Sequence, residues 1–349
     1  MEPVMIGDRT VSPGLRCFII AEAGVNHNGD MNIARKLVDV AVDAGADAVK
    51  FQSFNAEKVV SPSAPKAEYQ LQATDKNESQ YAMLRRLELS AQMHKILFNY
   101  CQDRQILFLS TPFDVESVDL LESLGVSAFK VSSGEITNNP LLLHIAKKNK
   151  PIILSTGMST LLDVAQAVKV INEAGNQDIV LLHCVSNYPA DPKDVNLKAM
   201  ETMERAFQLP VGYSDHTPGI EVTLAAVALG ACVIEKHFTL DRNAPGPDHR
   251  ASLEPEEIKT MIKKIRIVES ALGDGRKEPA PSEINTASVA RRSLVALRDL
   301  RAGEVLTTDD FAIRRPGTGL QPSMAPFVVG LTLREDVKAG NVLTREVFS

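Results

Sequence analysis

The chain has 349 residues, of which 44% are hydrophobic and 23% are charged, and its formal net charge at pH 7 is -6. This composition is that of an ordinary globular protein, and the acidic balance argues against a nucleic-acid binder, which normally carries a basic face. We find neither the ~18 consecutive apolar residues of a membrane span nor the apolar run of a signal peptide, so we predict a cytoplasmic protein.

Short apolar runs rich in β-branched residues alternate with helical patterns over most of the chain. The predicted strands are, in chain order, residues 17–24, 46–54, 106–112, 128–135, 151–158, 179–189, 210–216 and 232–240. Eight strands separated by amphipathic helices favour a closed (β/α)₈ TIM barrel, an α/β fold, over an open sheet. Glycines follow several helical segments at the expected C-cap position, namely Gly45, Gly125, Gly175 and Gly230.

A long excursion, residues 55–90, lies between the second predicted strand and the next clear helix. Connections of this length are either functional lids or disordered segments. Because the loops that follow barrel strands lie on the catalytic face, we expect this excursion to cover the substrate.

The end of the chain has a different character. After a predicted last barrel helix, a segment rich in Gly, Pro and charged residues indicates a linker. Two similar phrases, DLRAGEVLT and DVKAGNVLT, then indicate a small, pseudo-symmetric β-rich domain. We therefore predict a catalytic barrel over residues 1–275, a linker over 276–287 and a small domain over 288–349. A domain of about 60 residues is marginally stable alone, so we expect it to pack on the barrel or on a second subunit.

Polar residues gather at the carboxyl ends of the predicted strands, and these ends meet on one face of a barrel. Two of them, Lys50 and Lys130, are lysines within apolar strands, where an unpaired ammonium is costly. Neighbouring strand ends supply hydroxyl groups from Thr111, Ser132, Ser133, Ser155 and Ser214. Lysines and hydroxyls together predict a cradle for a phosphate and a carboxylate. A Schiff base between one lysine and a carbonyl substrate is the alternative.

Two histidines, His216 and His237, end adjacent predicted strands, so their imidazoles can share one cation. Together with Glu22, across the barrel closure, they suit a divalent metal ion that keeps open positions for water and substrate. Three other histidines are predicted to have structural, packing or surface positions: His94, His144 and His183.

The cysteines lack the paired spacing of a zinc or disulfide framework. They are Cys17, Cys101, Cys184 and Cys232. Three of the four lie in apolar runs, so we predict buried, reduced thiols.

Nine segments match a known family in order and spacing. They are FIIAEAGVNHNGD, AVKFQSF, FLSTPFD, KVSSGEI, ILSTGM, LLHCVSNYP, VGYSDHTPG, IEKHFTLD and GPDH. Over essentially its whole length the chain resembles the sialic acid synthase family, and VARRSLVA and RRPGTG resemble that family's antifreeze-like (SAF) domain. The resemblance implies a TIM barrel followed by a SAF domain. It also implies a domain-swapped homodimer in which the tail of one subunit caps its partner's site.

The resemblance implies roles for individual residues. His216 and His237 would ligate a divalent ion, Mn²⁺ or else Mg²⁺ or Co²⁺, and Glu22 would position a water or the sugar near it. The residues implied to hold phosphoenolpyruvate are Lys50, Thr111, Lys130, Ser133, Ser155, Ser186, Tyr188 and Ser214. Those implied to line the pocket or meet the sugar are Gln52, Glu135, Asp248 and, from the other subunit, Arg315, which would contact the N-acetyl group.

The activity implied by the resemblance is the condensation of phosphoenolpyruvate with an open-chain N-acetylated amino sugar and water, which yields a nine-carbon 2-keto acid and phosphate. N-acetylmannosamine is the first predicted acceptor, and the product would then be N-acetylneuraminate. The alternative acceptor is 2,4-diacetamido-2,4,6-trideoxymannose, which leads to legionaminic acid. Another synthase of 3-deoxy keto acids would need a site for a sugar phosphate, and no spare Arg/Lys cluster provides one. A carbohydrate- or ice-binding module is the non-enzymatic alternative, suggested only by the tail.

Overall fold

The computed structural model describes residues 2–75 and 77–348. The chain forms two compact units, Met1–Gly273 and Asp274–Ser349. The first unit begins with an antiparallel hairpin of two short strands, β1 (Val4–Ile6) and β2 (Arg9–Val11). Apolar residues of this hairpin are buried against residues at the amino-terminal ends of the strands that follow, so the hairpin closes that end of the sheet.

Eight parallel strands form the body of the first unit. They are β3 (Phe18–Gly24), β4 (Ala48–Ser53), β5 (Leu107–Pro112), β6 (Phe129–Val131), β7 (Ile152–Ser155), β8 (Ile179–Cys184), β9 (Val211–Asp215) and β10 (Val233–His237). Their order is β5-β4-β3-β10-β9-β8-β7-β6, so the first and last strands of the series, β3 and β10, are neighbours. This is a near-closed (β/α)₈ barrel, and the predicted fold class is confirmed.

Helices connect the strands and surround the barrel. They are α1 (Met31–Ala44), α2 (Ala56–Val59), α3 (Glu68–Ala73), α4 (Gln80–Leu87), α5 (Ala91–Asp103), α6 (Val115–Leu124), α7 (Asn139–Ala146), α8 (Leu161–Glu173), α9 (Ala199–Phe207), α10 (Glu221–Ala228) and α11 (Pro255–Leu272). Helix α1 shows the local rules: the Asp30 carboxylate accepts from two backbone N–H groups, and Gly45 ends the helix at φ +81°. Within the described ranges, no helix is both long and apolar enough to cross a membrane.

The barrel interior changes from apolar to polar along six of the eight strands. In β3, Ile19 and Ala21 pack with the helices, whereas Phe18 and Ile20 fill the interior. Glu22 continues the interior row by two residues and lines a cavity at the carboxyl end. The same change occurs between the residue pairs Ala48/Lys50, Leu109/Thr111, Ala128/Lys130, Ile153/Ser155 and Val233/Glu235. The apolar layers therefore hold the barrel together, and the last layer is free to bind ligands.

Asp215 and Lys236 form a buried ion pair between β9 and β10. Lys236 Nζ lies 2.8 Å from Asp215 Oδ2, and both side chains are fully buried. Asp215 also accepts hydrogen bonds from the hydroxyls of Thr217 and Thr223. Both residues of the pair alternate with the residues that line the cavity, so the pair lies on the helix side of the strands and serves the fold.

Replacing Asp215 by Asn is expected to lower the free energy of unfolding by about 3 kcal/mol, because it leaves the Lys236 ammonium buried without its counter-ion. Urea unfolding followed by circular dichroism measures the change. The control is Glu201→Gln on α9, which removes an exposed pair with Arg205 and should cost less than about 0.5 kcal/mol. Equal stability of the two variants would contradict the structural role of the pair.

The second unit is built around the two similar phrases. Its elements are α12 (Ile284–Ala290), β11 (Ser293–Ala296), β12 (Phe311–Arg314) and α13 (Ala325–Val328). Leu300 of the first phrase bridges to Val337, its counterpart in the second. The exchange is reciprocal: Asp299 accepts from the backbone N–H of Ala339, and Asp336 accepts from that of Ala302, both at 2.9 Å. The repeat in the sequence is thus a pseudo-two-fold repeat in the structure.

Candidate functional site

A cavity of about 490 Å³ opens at the carboxyl ends of the barrel strands. Most of the predicted site residues line it, namely Glu22, Lys50, Gln52, Thr111, Lys130, Ser133, Ser155, Ser186, Tyr188, Ser214, His216, His237 and Asp248. They come from seven of the eight barrel strands and from the loops that follow β6, β8, β9 and β10. The fold therefore brings together side chains that are more than 200 positions apart in the sequence.

The two lysines form the charged floor of this cavity, and both are almost fully buried. Lys50 Nζ lies 2.7 Å from Glu22 Oε2 and donates a hydrogen bond of 2.9 Å to Thr111 Oγ1. Lys130 Nζ donates a hydrogen bond of 2.7 Å to Ser155 Oγ. Each ammonium is thus held by a hydroxyl on the neighbouring strand, and its position is set before a ligand binds.

Glu235 lies between the lysines, and no role is predicted for it from the sequence. Its carboxylate is 3.7 Å from Lys50 Nζ and 3.6 Å from Lys130 Nζ, and it accepts a hydrogen bond of 2.9 Å from Ser214 Oγ. Strand alternation is the signal that could have found it, because Glu235 is two residues before His237 and shares its face. Glu235 fixes the relative position of the two ammonium groups.

Burial and neighbouring charges shift the pKa values of the floor residues in opposite directions. Burial raises the pKa of Glu22 to about 7, in spite of the nearby Lys50. Burial also favours a neutral Glu235, but Lys130 and Lys50 outweigh it and lower the pKa of Glu235 to about 2. Burial lowers the pKa of Lys130, whereas for Lys50 the adjacent Glu22 and Glu235 outweigh burial and raise the pKa. The floor therefore contains one firmly ionised carboxylate and one that exchanges a proton near neutral pH.

The two candidate metal ligands lie side by side on the cavity wall. The ring centroids of His216 and His237 are 5.5 Å apart. His216 Nδ1 donates to the carbonyl of Val185 at 2.8 Å, which leaves Nε2 of the neutral ring with a free lone pair. Nδ1 of His237 is buried without a hydrogen-bond partner. Burial lowers the pKa of His216 to about 4 and that of His237 well below its usual value, so both rings are neutral.

These two imidazoles suit a divalent ion because both are neutral and because imidazole nitrogen is a common ligand of such ions. A third protein ligand is not in place: the described residues contain no cluster of three or more His, Cys, Asp or Glu side chains arranged around a metal position. Glu22, the predicted third member, is engaged with Lys50. An ion held by His216 and His237 would therefore take its remaining ligands from water or substrate.

The excursion after β4 covers one side of the cavity. Its helices α3 and α4 supply Tyr69, Gln70 and Gln80 to the lining. The ring of Tyr69 lies 5.1 Å from that of Tyr188, which in turn lies 4.2 Å from the ring of His216. Helices α3 and α4 of the excursion thus form part of the cavity wall, and a role of the excursion in covering the substrate stays a prediction.

Two predicted site residues lie elsewhere. Strand β6 ends at Val131, and a 3₁₀ turn over Ser133–Glu135 replaces the predicted continuation of the strand. Within the described ranges Glu135 does not line the cavity, and its carboxylate accepts a hydrogen bond of 2.7 Å from Asn138. Arg315 belongs to the second unit, where its Nε donates to the carbonyl of Ala290. The roles assigned to both by resemblance stay predictions.

The three histidines predicted to have structural, packing or surface positions, and the cysteines, behave as expected. His183 faces the helices and donates to the carbonyl of Val195, His94 is buried against Ser53, and His144 pairs with Asp119 near the surface. All four cysteines are buried and unpaired. The thiol of Cys184 lies 3.1 Å from the Ser133 hydroxyl and lines the cavity.

Comparison with known proteins yields consistent matches for both units. Residues 37–277 match the NeuB family, and residues 291–346 match the SAF domain. The chain is 54% identical over 307 residues to the N,N'-diacetyllegionaminic acid synthase of Campylobacter jejuni, a match that covers 87% of this chain and 92% of that protein. It is 50% identical over 336 residues to the enzyme of the same name from Legionella pneumophila, with 95% and 94% covered.

A solved structure agrees with these matches. The N-acetylneuraminic acid (sialic acid) synthetase of Leptospira borgpetersenii, crystallised in complex with citrate, superimposes with a TM-score of 0.74 at 35% identity. The superposition covers 82% of this chain and 95% of that one. Each of the three relatives is thus named as a synthase or synthetase of an N-acetylated acid.

Proposed function

Because this chain belongs to the NeuB family, we propose that it condenses phosphoenolpyruvate with 2,4-diacetamido-2,4,6-trideoxymannose and water, releasing phosphate and a nine-carbon 2-keto acid of the legionaminic type. The observation that carries the phosphoenolpyruvate part is the floor of the cavity, where two buried lysines stand among hydroxyl groups. The observation that carries the acceptor is the higher identity to two legionaminic acid synthases than to the sialic acid synthetase of known structure. N-acetylmannosamine, the first choice from the sequence, becomes the second candidate.

The floor residues account for the binding of a small ligand with two anionic groups. Lys50 and Lys130 supply two fixed positive charges for the carboxylate and the phosphate of phosphoenolpyruvate. The hydroxyls of Thr111, Ser155 and Ser214 supply donors that rotate to suit the ligand. Because Glu235 and these hydroxyls already position the lysines, little reorganisation is needed as charge develops.

The proposed reaction balances as follows. C3 of phosphoenolpyruvate forms a bond to the aldehyde carbon of the acceptor, the aldehyde oxygen takes up a proton, and positive charge develops at C2. Water adds at C2 and loses a proton, and cleavage of the C2–O bond then releases phosphate. Glu22, with a pKa of about 7 beside the lysine floor, is the group we assign to accept the proton from water.

A divalent ion is part of this proposal. His216 and His237 would hold it, since both rings are neutral and each has a nitrogen free of other partners. It would supply Lewis-acid polarisation of the aldehyde oxygen. The Val185 carbonyl fixes the tautomer and orientation of His216, so that ring needs no rearrangement to act as a ligand.

The test of the proposed function is an acceptor panel. The full-length protein is incubated with Mn²⁺, phosphoenolpyruvate and either 2,4-diacetamido-2,4,6-trideoxymannose or N-acetylmannosamine, and released phosphate and product mass are measured. We expect a nine-carbon product from both sugars, with kcat/KM at least about tenfold higher for the diacetamido sugar, the discrimination expected for a difference of one or two groups. Absence of acceptor-dependent phosphate release would overturn the proposed function.

A further inference from the structure

One face of helix α4 forms an apolar wall of the cavity. The cavity-lining residues of this helix are Gln80, Met83, Leu84 and Leu87. Their spacing of i, i+3, i+4 and i+7 places them in a single stripe. Of these four residues, Gln80 alone is polar. It is the first residue of α4, and its Nε2 donates a hydrogen bond of 3.4 Å to Oε1 of Gln70. Of the other three, Leu84 is half-buried at the cavity, whereas Met83 and Leu87 are 0% and 2% exposed and pack behind that surface.

Two residues at the ends of barrel strands complete this surface. Val25 follows β3 and Phe113 follows β5, and both line the same cavity. Met83, Leu87 and Val25 belong to one buried cluster, against which Leu84 and Phe113 pack. We call these five residues, Val25, Met83, Leu84, Leu87 and Phe113, the apolar wall. It is held by mutual packing and does not depend on a ligand for its shape.

The apolar wall is adjacent to the reacting end of the cavity. Gly24 precedes Val25, and a Cβ atom at Gly24 would lie within 3.5 Å of Glu22, His237 and Gln52. Gly24 therefore places Val25 of the wall next to Glu22 and His237, the residues assigned to act near the aldehyde. An acceptor whose aldehyde lies near Glu22 and His237 can extend the rest of its carbon chain along the wall.

The positive charges of the cavity are placed where they cannot bind a phosphate on the apolar wall. Among the described residues that line the cavity, the lysine and arginine side chains are Lys50 and Lys130 alone. Both are already engaged with Glu22, Glu235 and hydroxyls on the floor. A phosphate or hydroxyl placed on the wall would lose its water and gain no partner from those five side chains.

We propose that the apolar wall binds the C6 methyl group of a 6-deoxy acceptor and selects against acceptors with a hydroxyl or a phosphate at C6. This inference rests on the proposed function and adds the residues that contact C6 of the acceptor sugar. Helix α4, which lies outside the barrel strands, thereby acts as a specificity-determining element. The discrimination expected from a hydrocarbon surface against a single hydroxyl is about 10- to 100-fold.

The experiment compares acceptors that differ only at C6. N-acetylmannosamine, its 6-deoxy analogue and its 6-phosphate are assayed with phosphoenolpyruvate and Mn²⁺, and kcat/KM is measured for each. For the unaltered protein we expect kcat/KM of the 6-deoxy sugar to exceed that of the 6-hydroxy sugar about 10-fold or more, with the 6-phosphate lowest. A ratio near or below 1, with phosphate release intact, would overturn the inference and leave the proposed function standing. No release with any acceptor would overturn both.

Two variants test the wall directly. Leu84→Asn places an amide on the half-buried part of the wall, and Val25→Thr replaces a methyl by a hydroxyl with little change of volume. Both are expected to bring the 6-deoxy to 6-hydroxy ratio to within about threefold of 1, chiefly by lowering kcat/KM of the 6-deoxy sugar. The control is Ala82→Asn, on the exposed face of the same helix, which should retain the original ratio. An unchanged ratio in both folded wall variants would contradict the assignment.

Discussion

Replacing Lys130 by Met is expected to lower kcat/KM for phosphoenolpyruvate by about 10²- to 10³-fold, the loss found when one fixed charge or donor is removed from a preorganised site. Lys130 is buried, donates to Ser155 and lies 3.6 Å from Glu235. Methionine keeps most of the side-chain volume and removes the positive charge. Steady-state phosphate release at varied phosphoenolpyruvate concentration measures the effect.

Lys130→Met removes one of the two cations beside the buried Glu235 and leaves only Lys50, so the variant can lose stability as well as binding. A second variant separates the two effects. The double variant Lys130→Met/Glu235→Gln removes both charges and is expected to regain stability while its activity stays low. Lys147→Ala, at an exposed position after α7, is the control and should be fully active. Activity close to that of the unaltered protein in folded Lys130→Met would refute the role of this lysine.

The same variant bears on the Schiff-base alternative. Burial lowers the pKa of Lys130, which would favour a nucleophilic amine, whereas the nearby Glu22 and Glu235 raise the pKa of Lys50. The hydrogen bond from Lys130 to Ser155 and its proximity to Glu235 favour a charged anion-binding group instead. Borohydride added during turnover should therefore leave the protein mass unchanged, and a trapped adduct on Lys130 would establish the alternative.

Replacing His237 by Ala is expected to leave the fold intact and to lower turnover by about 10³-fold or more. Lewis-acid assistance is worth several kcal/mol, and about 1.4 kcal/mol corresponds to a factor of ten in rate. The ring of His237 lines the cavity and its Nδ1 has no hydrogen-bond partner, so its removal breaks no hydrogen bond through that nitrogen. Turnover is measured after chelator treatment and again with added Mn²⁺.

The melting temperature of the protein tests metal binding by His216 and His237 without an activity assay. Added Mn²⁺ should raise the melting temperature of the chelator-treated protein, and the rise should disappear in both His237→Ala and His216→Ala. His144→Ala, which alters a histidine near the surface of α7, should retain the rise and the turnover. Undiminished turnover of the chelator-treated protein would refute the metal proposal.

Much of the site follows from strand alternation, which is a local property. Residues two apart in a strand share a face, so the apolar-to-polar change from Ala48 to Lys50 or from Ala128 to Lys130 is readable in the sequence. The same rule fails where the strand ends early. Because a 3₁₀ turn follows Val131, Glu135 is directed to Asn138 instead of the cavity lining.

The barrel, its carboxyl-end cluster of lysines, hydroxyls and histidines, and the repeated phrases of the small unit are determined by the sequence itself. Period-two and helical hydrophobic patterns follow from the local backbone geometry, which repeats side-chain direction every two or 3.6 residues, so no partner strand is needed to recognise them. Pairing between distant segments decides the rest. Only the tertiary structure reveals that Glu235 joins the two lysines, that Lys236 turns to Asp215, and that helix α4 adds an apolar wall. These features depend on which side chains meet across strands and loops, and the folded chain alone specifies that.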